Sequence, residues 1–246
     1  MKALKLARLP DGGPELFHTL QGEGASLGCP AVFIRLSRCN LSCTWCDTPY
    51  TWNFEDTDFQ HKDGKKFKRE AQTIELERAE LRARLSAFPC NRLVITGGEP
   101  LLQQRALLHL LEDWRHFSQV EVETNGTIMP LEALSERVTA FNVSPKLSHS
   151  GLPESSRLKL STLSHFATLS TASFKFVVSS PADLSEIESL VEQCHLPKER
   201  LLLMPEGRNE RELQRSGVAL ADLCIKKGYR FSPRLHVHLW GDERGK

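Results

Sequence analysis

Residues 31–48 read AVFIRLSRCNLSCTWCDT. The first eight form an apolar run that reads as a strand and leads straight into three cysteines, Cys39, Cys43 and Cys46. Val32, Ile34 and Leu36 share one face of that strand, and Phe33 and Arg35 share the other. An arginine inside so apolar a run needs an anionic partner. The same association of a strand-like run with a polar or glycine-rich ending recurs along the chain. It is seen in RLVITGGEP (92–100), QVEVETNGT (119–127), VTAFNVSPK (138–146), SFKFVVSS (173–180), RLLLMPEG (200–207) and RLHVHLWG (234–241). Helical spacing of apolar residues fills the intervals at 73–88, 101–117, 183–196 and 209–228, while a Ser-rich loop is expected through about residue 164. Strands alternating with helices predict a parallel sheet with crossover helices. About six or seven such strands suit an α/β fold built as a β/α barrel or partial barrel. In that architecture chemistry gathers at the C-terminal ends of the strands, where these motifs fall.

The whole chain, 1–246, reads as a single domain. The one interruption is NFEDTDFQHKDGKKFKRE (53–70), dense in charge and poor in periodicity, which is expected to be a solvated inserted loop. Lys plus Arg number 32 against 31 Asp plus Glu, a net charge of +1. No global field draws such a chain to nucleic acid or to a membrane surface. No apolar run reaches transmembrane length, and the N-terminus is too broken by Pro and Gly for a signal peptide. A cytoplasmic protein is expected. With seven cysteines in a reducing compartment, a disulfide framework is not expected. Cys29, Cys90, Cys194 and Cys224 read as small core residues.

Three clustered cysteines are one short of a closed tetrahedral site. One reading is zinc, with His61 as the distant fourth ligand. The other is a four-iron, four-sulfur cluster, normally held by four thiolates, here keeping one iron open for a small chelating ligand such as the amino and carboxylate groups of methionine. Trp45 offers an aromatic wall for an adenine ring, or ordinary core packing. Gly97 and Gly98, lacking Cβ, allow close backbone approach to a ligand, or make a tight turn into a helix opened by Pro100.

Cys39-x3-Cys43-x-Trp45-Cys46, followed about fifty residues later by Thr96-Gly97-Gly98-Glu99-Pro100, resembles the radical S-adenosylmethionine (SAM) enzymes. FHTLQGEG (17–24), FIRL (33–36), CDT (46–48) and WGDERG (240–245) further resemble the 7-carboxy-7-deazaguanine synthase family. That resemblance implies a partial barrel, typically homodimeric, that binds a [4Fe-4S] cluster, adenosylmethionine and magnesium. It implies conversion of 6-carboxy-5,6,7,8-tetrahydropterin to 7-carboxy-7-deazaguanine with loss of ammonia, on the way to queuosine. It also implies a reductant protein such as a flavodoxin or ferredoxin. On the family's pattern Cys39, Cys43 and Cys46 hold the cluster. Trp45, Cys46, Asp47, Gly98, Ser144, Pro145 and Lys146 face adenosylmethionine, and Met204, Pro205 and Glu206 line the adenine pocket. Leu20, Gln21, Gly22 and Thr96 meet the substrate, with Glu23 a further candidate. Arg35 holds the substrate carboxylate unless a structural Asp or Glu claims it, and Thr48 meets magnesium unless Asp56 or Asp58 does. His236 and His238, on one face of a terminal strand, read as structural. In some members of that family the chain terminus approaches the active site; that contact is not carried over to Lys246. Two rivals share parts of this pattern: a radical activase of a partner protein, and a non-enzymatic zinc or iron–sulfur protein.

Overall fold

Ten strands, β1 (Leu4–Ala7), β2 (Leu16–Leu20), β3 (Pro30–Leu36), β4 (Thr73–Leu76), β5 (Arg92–Gly97), β6 (Gln119–Thr124), β7 (Ala140–Val143), β8 (Ala172–Val178), β9 (Leu201–Pro205) and β10 (Arg230–Phe231), form one sheet in a computed structural model that describes residues 3–246. The order is β10-β9-β8-β7-β6-β5-β3-β1-β4, and β2 pairs with the first part of β3. From β3 through β5 to β10 every neighbour is parallel. On the far edge of β3, β2 and β1 run antiparallel, and β4 pairs with β1. The sheet ends at β10 and β4 without joining them, so the barrel is incomplete.

Helices α1 (Arg69–Gln72), α2 (Arg78–Ser86), α3 (Gln104–Leu111), α4 (Glu132–Ser135), α5 (Glu154–Arg157), α6 (Leu160–Thr168), α7 (Asp183–Cys194) and α8 (Glu210–Lys227) connect the strands, and α9 (Leu235–Trp240) follows β10. Period-2 alternation sorts each parallel strand. Ile34, Leu36, Leu93, Ile95, Val122, Phe141, Phe174 and Leu203 form a core with Leu81, Leu85, Leu107, Leu110, Phe166, Ile187 and Leu190 of the helices. Each such buried side chain stabilises the fold by about 1.5–3 kcal/mol relative to exposure. The opposite faces carry Phe33, Arg35, Thr96, Glu123, Asn142 and Lys175, which line an open cleft.

Several sequence expectations change. The span 73–88 is not one helix: Thr73–Leu76 is a strand whose Leu76 meets Leu4 of β1, and the helix begins at Arg78. The β-branched Thr73 and Ile74 suit that edge, and the leucine spacing is helical only from Leu81 onward. The expected 101–117 helix is a 3₁₀ turn at Pro100–Gln103 followed by α3, which ends at Leu111. The Ser-rich stretch contains α5 and the start of α6. RLHVHLWG is a helix, not a strand. At 100° per residue, His236 and His238 therefore point about 200° apart rather than sharing a face. Cys194 and Cys224 are core residues, but Cys29 and Cys90 are only half-buried. The 53–70 segment is charged but not simply solvated, because Phe54 and His61 are buried and Phe54 bridges Phe67.

Candidate active site

The sequence places its cysteines by ending β3 at Leu36. The chain then turns through Arg38, whose φ of 81° is left-handed, and delivers Cys39, Cys43 and Cys46 into one open cleft. Gly97 and Gly98 close on this turn from β5. Gly98 N donates to Leu36 O at 3.1 Å and Glu99 N to Arg38 O at 2.9 Å. A Cβ on Gly97 would stand 2.1 Å from Leu36 O, and one on Gly98 would stand 2.1 Å from Arg38 O. The close approach that the glycines permit is therefore to the backbone of the cysteine loop itself, although Gly98 also lines the cleft. Glu99, fully buried, accepts from Leu101 N, Thr124 Oγ1 and Asn125 N, and so ties the GGEP turn to the ETNG turn. Burial, the largest influence, leaves its carboxyl above the usual range.

No other cysteine lines the cleft. His61 does not face the thiols as a fourth ligand: its Nε2 lies 2.8 Å from Cys46 O. Among the described residues no group of three or more His, Cys, Asp and Glu side chains is arranged to close around a metal. Burial pushes all three thiols up, Cys43 to about 11. Thiols must lose their protons to become metal or cluster ligands, so binding there is coupled to proton release. Three sulfurs on one cleft with no fourth fit a cluster that keeps one open iron better than they fit a closed zinc site. The indole Nε1 of Trp45 is buried without a partner among the described residues, its ring stacks on His149 at 5.4 Å, and Lys146 Nζ stands 5.7 Å from the ring centre. That unmet donor fits a bound ligand with an acceptor. Lys146 Nζ also donates to Ser144 Oγ at 3.0 Å, and both residues line the cleft, as do Met204, Pro205 and Glu206. Pro145 is buried and does not line it.

Arg35 does have a structural carboxylate. Its Nε donates to Glu15 Oε1 at 2.6 Å. Glu15 is fully buried and also accepts from Tyr50 Oη at 3.1 Å and from Arg244 Nε at 2.7 Å. Arg244 stacks on Tyr50 with 3.6 Å to the ring centre and donates to Arg8 O and Gln72 Oε1. Only the Nε edge of Arg35 is engaged this way, and the residue lines the cleft. One rung of the sheet continues from it: Arg35 opposes Thr96, Thr96 Oγ1 donates to Glu123 at 2.6 Å, Glu123 opposes Asn142, and Asn142 opposes Ser173. Gln21 lines the same space, with its amide nitrogen on Glu121 at 2.7 Å and on Glu123 at 3.1 Å. Leu20 and Gly22 flank it, and a Cβ on Gly22 would meet His236 Nδ1 at 2.2 Å. Thr48 lines the cleft with its hydroxyl 3.6 Å from Cys46 Sγ. Asp56 is paired with exposed Arg69, and neither it nor Asp58 lines the cleft.

Sequence reasoning missed a buried ionic group. Glu23 accepts from Lys175 Nζ and, at 2.9 Å, from Arg234 Nε, while Arg234 Nη2 donates to Asp47 and Nη1 to Gly207 O at 2.7 Å. Burial pushes Glu23 up, but Lys175, Arg234 and His236 together outweigh it and hold the carboxyl well below 4.5. Burial likewise opposes Asp47, and Arg234 brings it down. Burial lowers His236. A signal for this polar interior was present in QVEVET and SFKFVV, where Glu121, Glu123 and Lys175 alternate with apolar residues. Lys246 also lines the cleft, a contact that the sequence left open.

Residues 33–150 match the radical SAM superfamily. A 7-carboxy-7-deazaguanine synthase of Pyrobaculum aerophilum is 37% identical, over 94% of this chain and 96% of its own length. The Halobacterium salinarum protein of that name is 34% identical, over 93% of this chain and 90% of its own. The crystal structure of QueE from Escherichia coli superposes with a TM-score of 0.68 at 27% identity, over 95% of each chain. Likeness over nearly the full length, in sequence and in backbone alike, makes this chain a member of the 7-carboxy-7-deazaguanine synthase family within the radical SAM superfamily.

Proposed function

We propose that this enzyme converts 6-carboxy-5,6,7,8-tetrahydropterin to 7-carboxy-7-deazaguanine with loss of ammonia, within one domain spanning 1–246. The observation that carries the reading is the opening of three thiols and the Arg35 guanidinium into one cleft. Cys39, Cys43 and Cys46 would hold the cluster, which together with adenosylmethionine would supply the radical chemistry for hydrogen abstraction from the substrate. Trp45, Asp47, Gly98, Ser144 and Lys146 would seat adenosylmethionine, with Pro145 holding the loop. Arg35 would present its free guanidinium edge to the substrate carboxylate, its Nε edge fixed by Glu15. Leu20, Gln21, Gly22 and Thr96 would hold the pterin edge, with the amide of Gln21 oriented by Glu121 and Glu123. Thr48 would give magnesium one protein oxygen while substrate and water complete its shell.

The chain acts on a small molecule. Among the described residues no helix is long and apolar enough to cross a membrane. A homodimer in the cytoplasm, reduced by a flavodoxin or ferredoxin, completes the proposal. The test is an anaerobic assay with the carboxytetrahydropterin, adenosylmethionine, magnesium and reductant. Formation of 7-carboxy-7-deazaguanine is expected; cleavage of adenosylmethionine without turnover of the pterin would overturn the substrate assignment.

A further inference from the structure

Trp52 lines the same cleft and makes a contact with one of its thiols to which no role has been given above. It is 3% exposed, and its indole Nε1 lies 3.3 Å from Cys46 Sγ. An indole nitrogen can only donate, so the bond is N–H···S, onto a sulfur that the proposed function makes a cluster ligand.

The indole is held from behind by the charged segment that the function above leaves unused. Phe59 lies edge-on to Trp52 with 5.9 Å between ring centres, and His61 does so at 6.2 Å. His61 is itself fixed at both nitrogens. Nε2 faces Cys46 O at 2.8 Å, which only accepts, and Nδ1 accepts from Asp63 N at 3.2 Å. Lys62 N donates to Thr44 O at 2.9 Å, so the segment returns to the cysteine loop along its backbone as well. A segment that leaves at Asn53 thus comes back to press an aromatic ring against one thiol ligand.

Hydrogen bonds to ligand sulfurs are among the settings of an iron–sulfur potential. A donor draws electron density from the thiolate. The reduced cluster carries one more negative charge than the oxidised one, so the donor stabilises it more, and reduction becomes easier. We propose that the Trp52 indole raises the reduction potential of the cluster through its N–H···S bond to Cys46, and that the 53–70 segment holds the indole there. Trp52 is then a positioning residue that acts through Cys46. The inference rests on the assignment of Cys39, Cys43 and Cys46 as cluster ligands.

The test compares wild type, Trp52→Phe and a chain with benzothienylalanine at position 52, which keeps the bicyclic shape and lacks only the N–H. Each is reconstituted anaerobically, assayed for iron and sulfide, and titrated with reductant while the reduced cluster is followed by electron paramagnetic resonance. Both variants should make reduction about tenfold less favourable, a midpoint about 59 mV lower for one electron. Loaded variants with the wild-type midpoint would overturn the role of the indole N–H. So would a shift in Trp52→Phe that the shape-preserving variant does not share, because packing alone would then be responsible. A Trp52→Phe chain that takes up no cluster while wild type does would make the residue an assembly element and equally overturn the proposal. Failure of wild type itself to take up iron and sulfide would instead overturn the cluster assignment on which it rests.

Discussion

Gly98→Ala puts a methyl group where the backbone of the cysteine loop already stands. Its Cβ would lie 2.1 Å from Arg38 O, 2.5 Å from Arg38 C and 2.9 Å from Cys39 N, where ordinary contact begins near 3.4 Å. None of these is the end of a flexible side chain, so strand β5 or the segment 36–39 must withdraw by more than an ångström. Overpacking of this kind costs about 1–3 kcal/mol. A domain stable by about 5–15 kcal/mol still folds. The consequence for chemistry is larger, because Cys39 is bonded directly to the residue that must move. A misplacement of about 1 Å costs about a hundredfold in rate. Two measurements decide: denaturant unfolding, and anaerobic formation of product and of 5′-deoxyadenosine from matched reconstituted protein. A variant that unfolds at a slightly lower midpoint but loses about a hundredfold in both products supports the reasoning. Wild-type turnover from Gly98→Ala would refute it, and would mean that the two backbones are not held together in the working enzyme.

Cys43→Ala should abolish reductive cleavage of adenosylmethionine, read as loss of 5′-deoxyadenosine in a protein that still folds. Arg35→Lys keeps the charge but loses the planar fork shared between Glu15 and the substrate; calorimetry should show substrate binding weaker by about 1–3 kcal/mol with adenosylmethionine binding unchanged. Thr48→Ala should assemble its cluster normally yet make less product at limiting magnesium, with partial recovery when magnesium is raised; superimposable magnesium titrations would remove Thr48 from the ion. Glu23 is held below its ordinary 4.5 in the folded state, so its contribution to stability is complete above that pH and is lost as pH falls through the lowered value. Glu23→Gln should therefore give a melting temperature that falls less steeply than wild type between about pH 5 and about pH 3.

The parallel half of the sheet was legible because each apolar run ends in a residue set that cannot continue a strand. GGEP, ETNG and SPK each mark both a strand end and a wall of the cleft. The cysteines were legible through spacing, and Arg35 through its misfit in FIRL, where both the anticipated acidic neighbour and the open guanidinium edge were found. What stayed hidden depends on contacts remote in sequence. Lys175 meets Glu23 across 152 positions and Arg234 meets it across 211. No local pattern encodes such a pairing, although polar residues at every second place of β6 and β8 gave notice of a polar interior. Thr73–Leu76 was misread because its neighbours repeat leucine at helical spacing, and only the exposed edge of β1 makes it a strand. The tail 234–241 was misread because alternation over eight residues does not separate a strand from a short helix anchored at one end, here by Leu235 N on Gly22 O.

The buried carboxylate of Glu15 gives the enzyme an order of completion. Arg35 is made twenty positions after it, but Arg244 comes 229 positions after it, near the end of the described chain. On the ribosome, therefore, Glu15 and Arg35 can meet while most of the sheet is still unmade, whereas the second oxygen of Glu15 waits until residue 244 has emerged. Contacts of such separation form late, because the chain between them must first be ordered. Until then Tyr50 lacks its stacked guanidinium, and the strand that carries Arg35 has one edge incompletely held. A nascent chain stalled before residue 244 would hold all three cysteines but lack the guanidinium that joins Glu15, Gln72 and Arg8, so the carboxylate-facing side is completed only once residue 244 is in place.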